Sequence, residues 1–277
     1  MKLTLGFSPC PNDTFIFEAM VHQRVDTEGI EYDWFLADVE ELNRRALEAA
    51  VDITKMSYHA YAHTAGNYLL LDAGSALGRS NGPLVVSRRR IYPDELNEAI
   101  IAIPGRYTTA NLLFSIFWPE AKNKREYLFS DIPEALLSGE ADAGLIIHET
   151  RFTFEAMGLR KVADTGQYWE EMTGMPIPLG GIVISRNIPE DTALKVNRTI
   201  RRSLEYANAN PAASIDFIEK NAQEVSPDVM KEHISLFVNR FTLSLGEEGR
   251  GAVDRLFSVA AERKVISPVP ERIFLIS

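Results

Sequence analysis

The sequence predicts an α/β fold in two lobes around a cleft, on three observations. First, short apolar strands alternate with helix patterns through the first two thirds of the chain, which gives sheets covered by helices on both faces. Second, ALEAAVDITKMSYH (46–59) and ALLSGEADAGLIIHE (135–149) echo one another: a helix, an acidic residue (Asp52 or Asp142), then a short strand. Aligning the aspartates sets Ser57 opposite Ile147 and Tyr58 opposite His148, so two strands from different halves end at polar residues. Helix–turn–strand units also resemble each other by physics alone, and both readings of the echo stay open. Third, TGMPIPLGG (173–181) carries two prolines and three glycines and reads as a hinge back into the first lobe.

Taken in order, KLTLGF alternates as a strand with Leu3, Leu5 and Phe7 on one face. SPCPND follows as a stiff turn, because Pro9 and Pro11 fix φ and remove two donors, and Asn12 and Asp13 suit a helix start. The helix TFIFEAMVHQ comes next. Further strands are IEYDWFLA, DITKMS, NYLLLDAG, PLVVSR, AIIAIPG, REYLFS, AGLIIHE and GIVISR; further helices are DVEELNRRALEAA, TTANLLFSIFW and DIPEALLSGE. From Pro189 onward nearly everything reads helical. The expected first lobe is residues 1–96 and 181–277, and the second, inserted, is 97–180.

At 277 residues the chain suits two modest lobes, and 45% hydrophobic with 25% charged residues is ordinary for a globular protein. A net charge of −10 argues against nucleic acid and against an anionic membrane surface as partners. It leaves room for an anionic small molecule in a locally positive pocket. A single cysteine excludes an internal disulfide and a zinc cluster and points to a reducing compartment. With no secretory signal visible after Met1, the expected location is cytoplasmic.

Several residues suit chemistry. His148 closes an apolar strand at the rim of a sheet, and its unperturbed pKa lies nearest neutrality, so it reads either as a base or as a structural histidine. Glu149 is not paired with it, because neighbours on a strand point to opposite faces. Lys55 and Ser57, two apart on a strand, share one face and suit one ligand, or else are a surface lysine and a helix cap. Thr108 and Thr109 follow a glycine turn and open a helix, where free N–H groups and a hydroxyl favour a carboxylate. Cys10 sits at a helix start but has no base near it in sequence, so Ser8, Pro9 and Asn12 around it read as pocket floor rather than as a nucleophile site. His59 and His63 have helical metal spacing without a third ligand and are ordinary helix residues. Tyr168 and Trp169 fit a cleft or a core.

SPCPNDTFIF, ALGRSNGPLVV, PGRYTTANLL, AGLIIHE and YWEEMTGMPIPLGG, in that order, resemble the 1,4-dihydroxy-6-naphthoate synthase family of the futalosine route to menaquinone. The resemblance runs from Leu3 into the helical tail. It implies a type II periplasmic-binding-protein-like fold with an inserted second lobe. It also implies a lyase that converts cyclic dehypoxanthinyl futalosine, a small carboxylated substrate, to 1,4-dihydroxy-6-naphthoate and dihydroxyacetone. By the same resemblance His148 is the base, and Lys55, Met56, Ser57, Thr108 and Thr109 bind substrate. No cofactor and no metal are implied, since aromatisation of the new ring drives the reaction. Two other readings stay open: chorismate dehydratase of the same pathway, and a non-catalytic solute-binding protein of the same fold.

Overall fold

The computed structural model describes residues 1–222 and 226–275. The expected helical tail also covers 223–225 and 276–277, which lie outside the described residues. The strands are Lys2–Phe7 (β1), Glu31–Leu36 (β2), Ile53–Ser57 (β3), Tyr68–Leu70 (β4), Ala76–Gly78 (β5), Leu84–Ser87 (β6), Ile101–Ile103 (β7), Lys124–Glu126 (β8), Ala143–Ile146 (β9), Arg160–Asp164 (β10) and Ile177–Ser185 (β11). The helices are Pro11–Val21 (α1), Val39–Leu47 (α2), Tyr58–Thr64 (α3), Thr109–Phe117 (α4), Ile132–Ser138 (α5), Thr150–Thr153 (α6), Thr165–Thr173 (α7), Glu190–Ala209 (α8), Ile215–Asn221 (α9), Pro227–Phe237 (α10), Arg240–Leu243 (α11) and Gly246–Glu262 (α12).

The strands form a six-stranded sheet, β2-β1-β3-β11-β4 with β5 also on β11, and a five-stranded sheet, β10-β6-β9-β7-β8. The two share a plan. In the first, β1 pairs in parallel with β2 and β3, and β11 lies antiparallel to β3. In the second, β7 pairs in parallel with β8 and β9, and β6 lies antiparallel to β9. The sequence echo therefore marks equivalent units. Asp52 accepts from the Thr4 N–H at 2.8 Å and Asp142 from the Ile100 N–H at 2.9 Å, so each aspartate ties the start of its strand to the neighbouring parallel strand.

This plan corrects the expected boundary at Asn97. β6 already pairs with β9 and β10, so the chain crosses to the second sheet between β5 and β6. PLVVSR is a sound strand signal, but a local pattern does not say which sheet a strand joins. The return was also placed too broadly as a hinge: Ile177–Gly181 is already strand, with Pro178 tolerated at a register shift against β5. At the crossing, Gly82 packs against Gly166 so closely that a Cβ on Gly82 would sit 2.5 Å from the Gly166 Cα, which only glycine allows.

Helix α1 has no polar face, and Pro11 through Met20 are all buried. It is enclosed by β1 residues such as Phe7, whose ring lies 4.6 Å from that of Phe17, and by α8, whose Ser203 donates to the Ile16 carbonyl at 2.6 Å. This fixes α1, and with it the SPCPND turn, in the first lobe. Tyr168 and Trp169 resolve as core: Trp169 is fully buried and donates to the Pro176 carbonyl at 3.1 Å, and Tyr168 packs on Phe117 and Trp118. No helix among the described residues is long and apolar enough to cross a membrane.

The Asp142 tie gives a pH prediction. The Ile100 N–H, and then the Arg89 guanidinium, hold its carboxyl below the ordinary value of 3.8. A depressed folded-state pKa contributes stability that is present above pH 3.8 and lost as pH falls through the folded value. Asp142→Asn is expected to cost about 1 kcal/mol at neutral pH. It should also flatten the acid limb, measured as urea midpoints from pH 6 down to pH 3. An acid limb as steep as in the wild type would refute the assignment.

Candidate functional site

A cavity with about 730 Å³ of empty space, its open mouth included, lies between the two sheets. Ser8, Asn12, Lys55, Met56, Ser57, Thr108, Thr109 and His148 all line it, so the strand ends of both halves face one cleft. Pro9 does not: it is half-buried and absent from the cavity wall, because Ser8 and Asn12 take the inward positions of that turn.

The floor is a buried polar network at the start of α1. Asp13 accepts from the Ser8 N–H at 3.2 Å, the Ser8 hydroxyl at 2.7 Å and the Asn12 amide at 2.9 Å. Its charge is met by Lys55 Nζ at 3.0 Å, with side-chain exposures of 8% for the lysine and 2% for the aspartate. Lys55 also donates to the Gly74 carbonyl at 3.3 Å. An ammonium has three donors, so one N–H is left for the cavity.

Beside Lys55, Ser57 accepts through Oγ from Asn43 at 3.2 Å, which leaves its own O–H free to donate into the cleft. The paired threonines behave differently from expectation. Thr108 Oγ1 caps α4 by accepting from the Asn111 N–H at 3.3 Å, and its proton goes to the Gly105 carbonyl at 2.9 Å. Thr109 donates to the Leu179 carbonyl at 2.6 Å. Both hydroxyl protons are spent inside the protein. The backbone N–H groups of Thr109 and Ala110, in the first turn of α4, have no acceptor among the described residues, and both residues line the cavity. His59 supports that cap, with Nδ1 3.1 Å from the Thr108 carbonyl, and burial holds its pKa down at about 4. One nitrogen of that neutral imidazole is thus committed to the cap.

Across the cleft, β9 stops at Ile146 and His148 adopts a left-handed backbone, φ 55°. The strand alternation that separated His148 from Glu149 therefore does not apply. Ligand atoms of His148, Glu149 and Cys10 lie within 4.8 Å of one another. The base that the sequence around Cys10 lacked thus comes from the other lobe. Burial, and then the Glu149 charge, push the thiol's pKa well up, which disfavours the thiolate that a nucleophile needs. His148 Nε2 is buried and makes no hydrogen bond. Its ring faces Phe129, with centroids 5.0 Å apart, and stacks on His233 at 6.1 Å and 9°.

Sequence reasoning missed three groups here. Asn81, 2% exposed, lines the cavity with neither side-chain polar atom hydrogen-bonded. Arg151 lines it too and donates to the carbonyls of Gly82 and Ser80, tying α6 to the crossing segment. His233 is wholly buried on α10, on the face shared by Met230 and Phe237. The readable signal was a histidine at a core position of an amphipathic helix.

A family profile for menaquinone biosynthesis matches residues 3–262. A 1,4-dihydroxy-6-naphtoate synthase from Thermus thermophilus is 45% identical over 273 residues, 99% of each chain. The chain belongs to the menaquinone-biosynthesis family. A solved structural-genomics protein from Archaeoglobus fulgidus is 34% identical with a TM-score of 0.90, over 96% of this chain and 98% of that one. The alkanesulfonate-binding protein of Xanthomonas axonopodis pv. citri, solved with MOPS bound, has a TM-score of 0.72 at 13% identity, over 99% of this chain and 96% of its own. That likeness concerns the fold alone. This member of the menaquinone-biosynthesis family thus has the two-lobed periplasmic-binding-protein-like architecture, as the sequence resemblance implied.

Proposed function

We propose that the chain is a carbon–carbon lyase that converts cyclic dehypoxanthinyl futalosine to 1,4-dihydroxy-6-naphthoate and dihydroxyacetone, with His148 as general base. The observation that carries the proposal is the unpartnered Nε2 of His148, buried at a cleft whose opposite wall offers unspent donors. A buried polar atom without a partner costs free energy, and a substrate hydroxyl meets that need. The substrate carboxylate is assigned to the Ser57 hydroxyl, the third Lys55 N–H and the Thr109 and Ala110 N–H groups at the positive end of α4. Met56 supplies apolar wall beside them.

The base takes a proton from a substrate hydroxyl. The alkoxide electrons form a carbonyl as the adjacent carbon–carbon bond breaks, and that bond pair passes into the ring system, which aromatises. Closure of the lobes would keep water from the carbanionic stage. The purified chain, incubated with the cyclic substrate and separately with chorismate, is expected to form the naphthoate, read by absorbance and chromatography, and to leave chorismate unchanged. Consumption of chorismate, or neither reaction, would refute the reading.

Asn81 is assigned to hydroxyls of the sugar-derived ring, because it offers a donor and an acceptor together. Asn81→Ala should raise KM about tenfold, the equivalent of one good hydrogen bond. Its urea midpoint should be unchanged or higher, since two unmet buried atoms, each costing about 1–3 kcal/mol, are removed. A lower midpoint with normal KM would make Asn81 a structural residue.

A further inference from the structure

We infer that Cys10, His148, Glu149 and His233 form a binding site for a soft divalent cation of the Zn²⁺ class, reached through the cleft. The inference rests on a chain of hydrogen bonds that ends in lone pairs with nothing between them. Asp13, paired with Lys55, is acceptor-only, so the Asn12 nitrogen must face it, 2.9 Å away. Asn12 Oδ1 therefore faces His233 Nε2 at 3.0 Å, and that nitrogen must carry the proton. His233 is wholly buried, and a second proton on its Nδ1 would find no acceptor within hydrogen-bonding distance. Its Nδ1 is then a bare lone pair, 3.7 Å from Glu149 Oε2.

Neither of those atoms has a hydrogen-bond partner, and neither does His148 Nε2. Two acceptors facing each other at such a distance in a buried place repel unless a positive centre lies between them. Cys10, whose donor atom lies within 4.8 Å of those of His148 and Glu149, completes the set. One thiolate, two imidazoles and one carboxylate are the ligand types Zn²⁺ prefers, in its preferred number. Tetrahedral binding would bring the donor atoms to about 3.5 Å apart, so Cys10, His148 and Glu149 close up from within 4.8 Å and His233, already 3.7 Å from Glu149, turns in toward them. On binding, the Cys10 S–H bond breaks, a sulfur–metal bond forms and the proton passes to solvent. The sequence hid the set because its members come from the turn before α1, the segment after β9 and α10, with no metal-motif spacing. If His148 is the base proposed above, occupancy removes it from the substrate, so the cation is an inhibitor rather than a cofactor.

The test is a Cd²⁺ titration of the chelator-treated full chain, followed by the ultraviolet thiolate-to-metal band. With one cysteine in the chain, that band reports Cys10 alone. The expected result is saturation at one ion per chain, release of one proton, and loss of the band in Cys10→Ser. Zn²⁺ affinity, read by competition with a chromophoric chelator, should fall at least tenfold in Cys10→Ser and in the isosteric Glu149→Gln. No band in the wild type would overturn the inference. So would wild-type Zn²⁺ affinity in a folded Glu149→Gln, since Cys10 would then bind as an isolated thiol. None of these readouts depends on turnover, so failure here leaves the proposed reaction standing.

Discussion

A His148→Ala variant is expected to lose about 10²–10⁴-fold in kcat, the usual worth of a positioned general base, with KM little changed. The reason is the division of roles in the cleft. The groups assigned to the carboxylate are Lys55 and Ser57 of the first lobe and the start of α4, which belongs to the second lobe as His148 does; His148 differs from them in having a buried Nε2 that is uncommitted. Stability should move little or rise. His148 holds a left-handed backbone, φ 55°, which costs a non-glycine residue about 1–3 kcal/mol. Its buried Nε2 has no partner to lose. His148→Gly, which relieves the backbone, is expected to have a urea midpoint at or above that of the wild type, with the same loss of kcat. Strain and an unmet polar atom at one residue are what a site trades for function. Turnover of His148→Ala within threefold of the wild type would place the base elsewhere. A large rise in KM with normal kcat would make His148 a binding group.

How much of this was legible depends on the range of the interaction. The SPCPND turn and α1 are written locally, in two prolines, a polar helix start and a continuous apolar run. The echo around Asp52 and Asp142 was legible because each aspartate closes a bond to a strand start within its own half. Two strands were not: β10, Arg160–Asp164, carries charges that blunt a sheet edge and hide its alternation, and β5 is only three residues long. The crossing at Gly82 was misplaced because pairing partners are a long-range fact. The site divides in the same way. Ser57, Thr108, Thr109 and His148 follow strand or helix ends and could be nominated from sequence. The meeting of Cys10 with His148, and the placing of His233 behind Asn12, depend on how the lobes and α10 come together. No local pattern records that.

The second large effect is expected at Asp13. Asp13→Ala should lower unfolding stability by about 3–5 kcal/mol, because it strands the Lys55 ammonium in a buried place. The Gly74 carbonyl alone does not compensate a full charge there. The Ser8 N–H, the Ser8 hydroxyl and the Asn12 amide also lose their acceptor. Lys55→Met should cost less, since it leaves the Asp13 carboxylate with those three donors. The double variant Asp13→Ala/Lys55→Met should recover much of the loss, because no unpaired charge is left and the methionine fills the lysine's stem volume. The pair is therefore expected to be strongly non-additive in urea unfolding, the double variant being more stable than Asp13→Ala alone. Strict additivity would show the two charges to be independent. The same series separates stability from function: the double variant refolds the floor of the cleft without its cation. It should be folded yet poor in carboxylate binding, with KM raised. Buried salt bridges seldom justify themselves by stability. Here the pair keeps one ammonium donor aimed at the cleft and fixes Asn12, and through Asn12 the proton on His233.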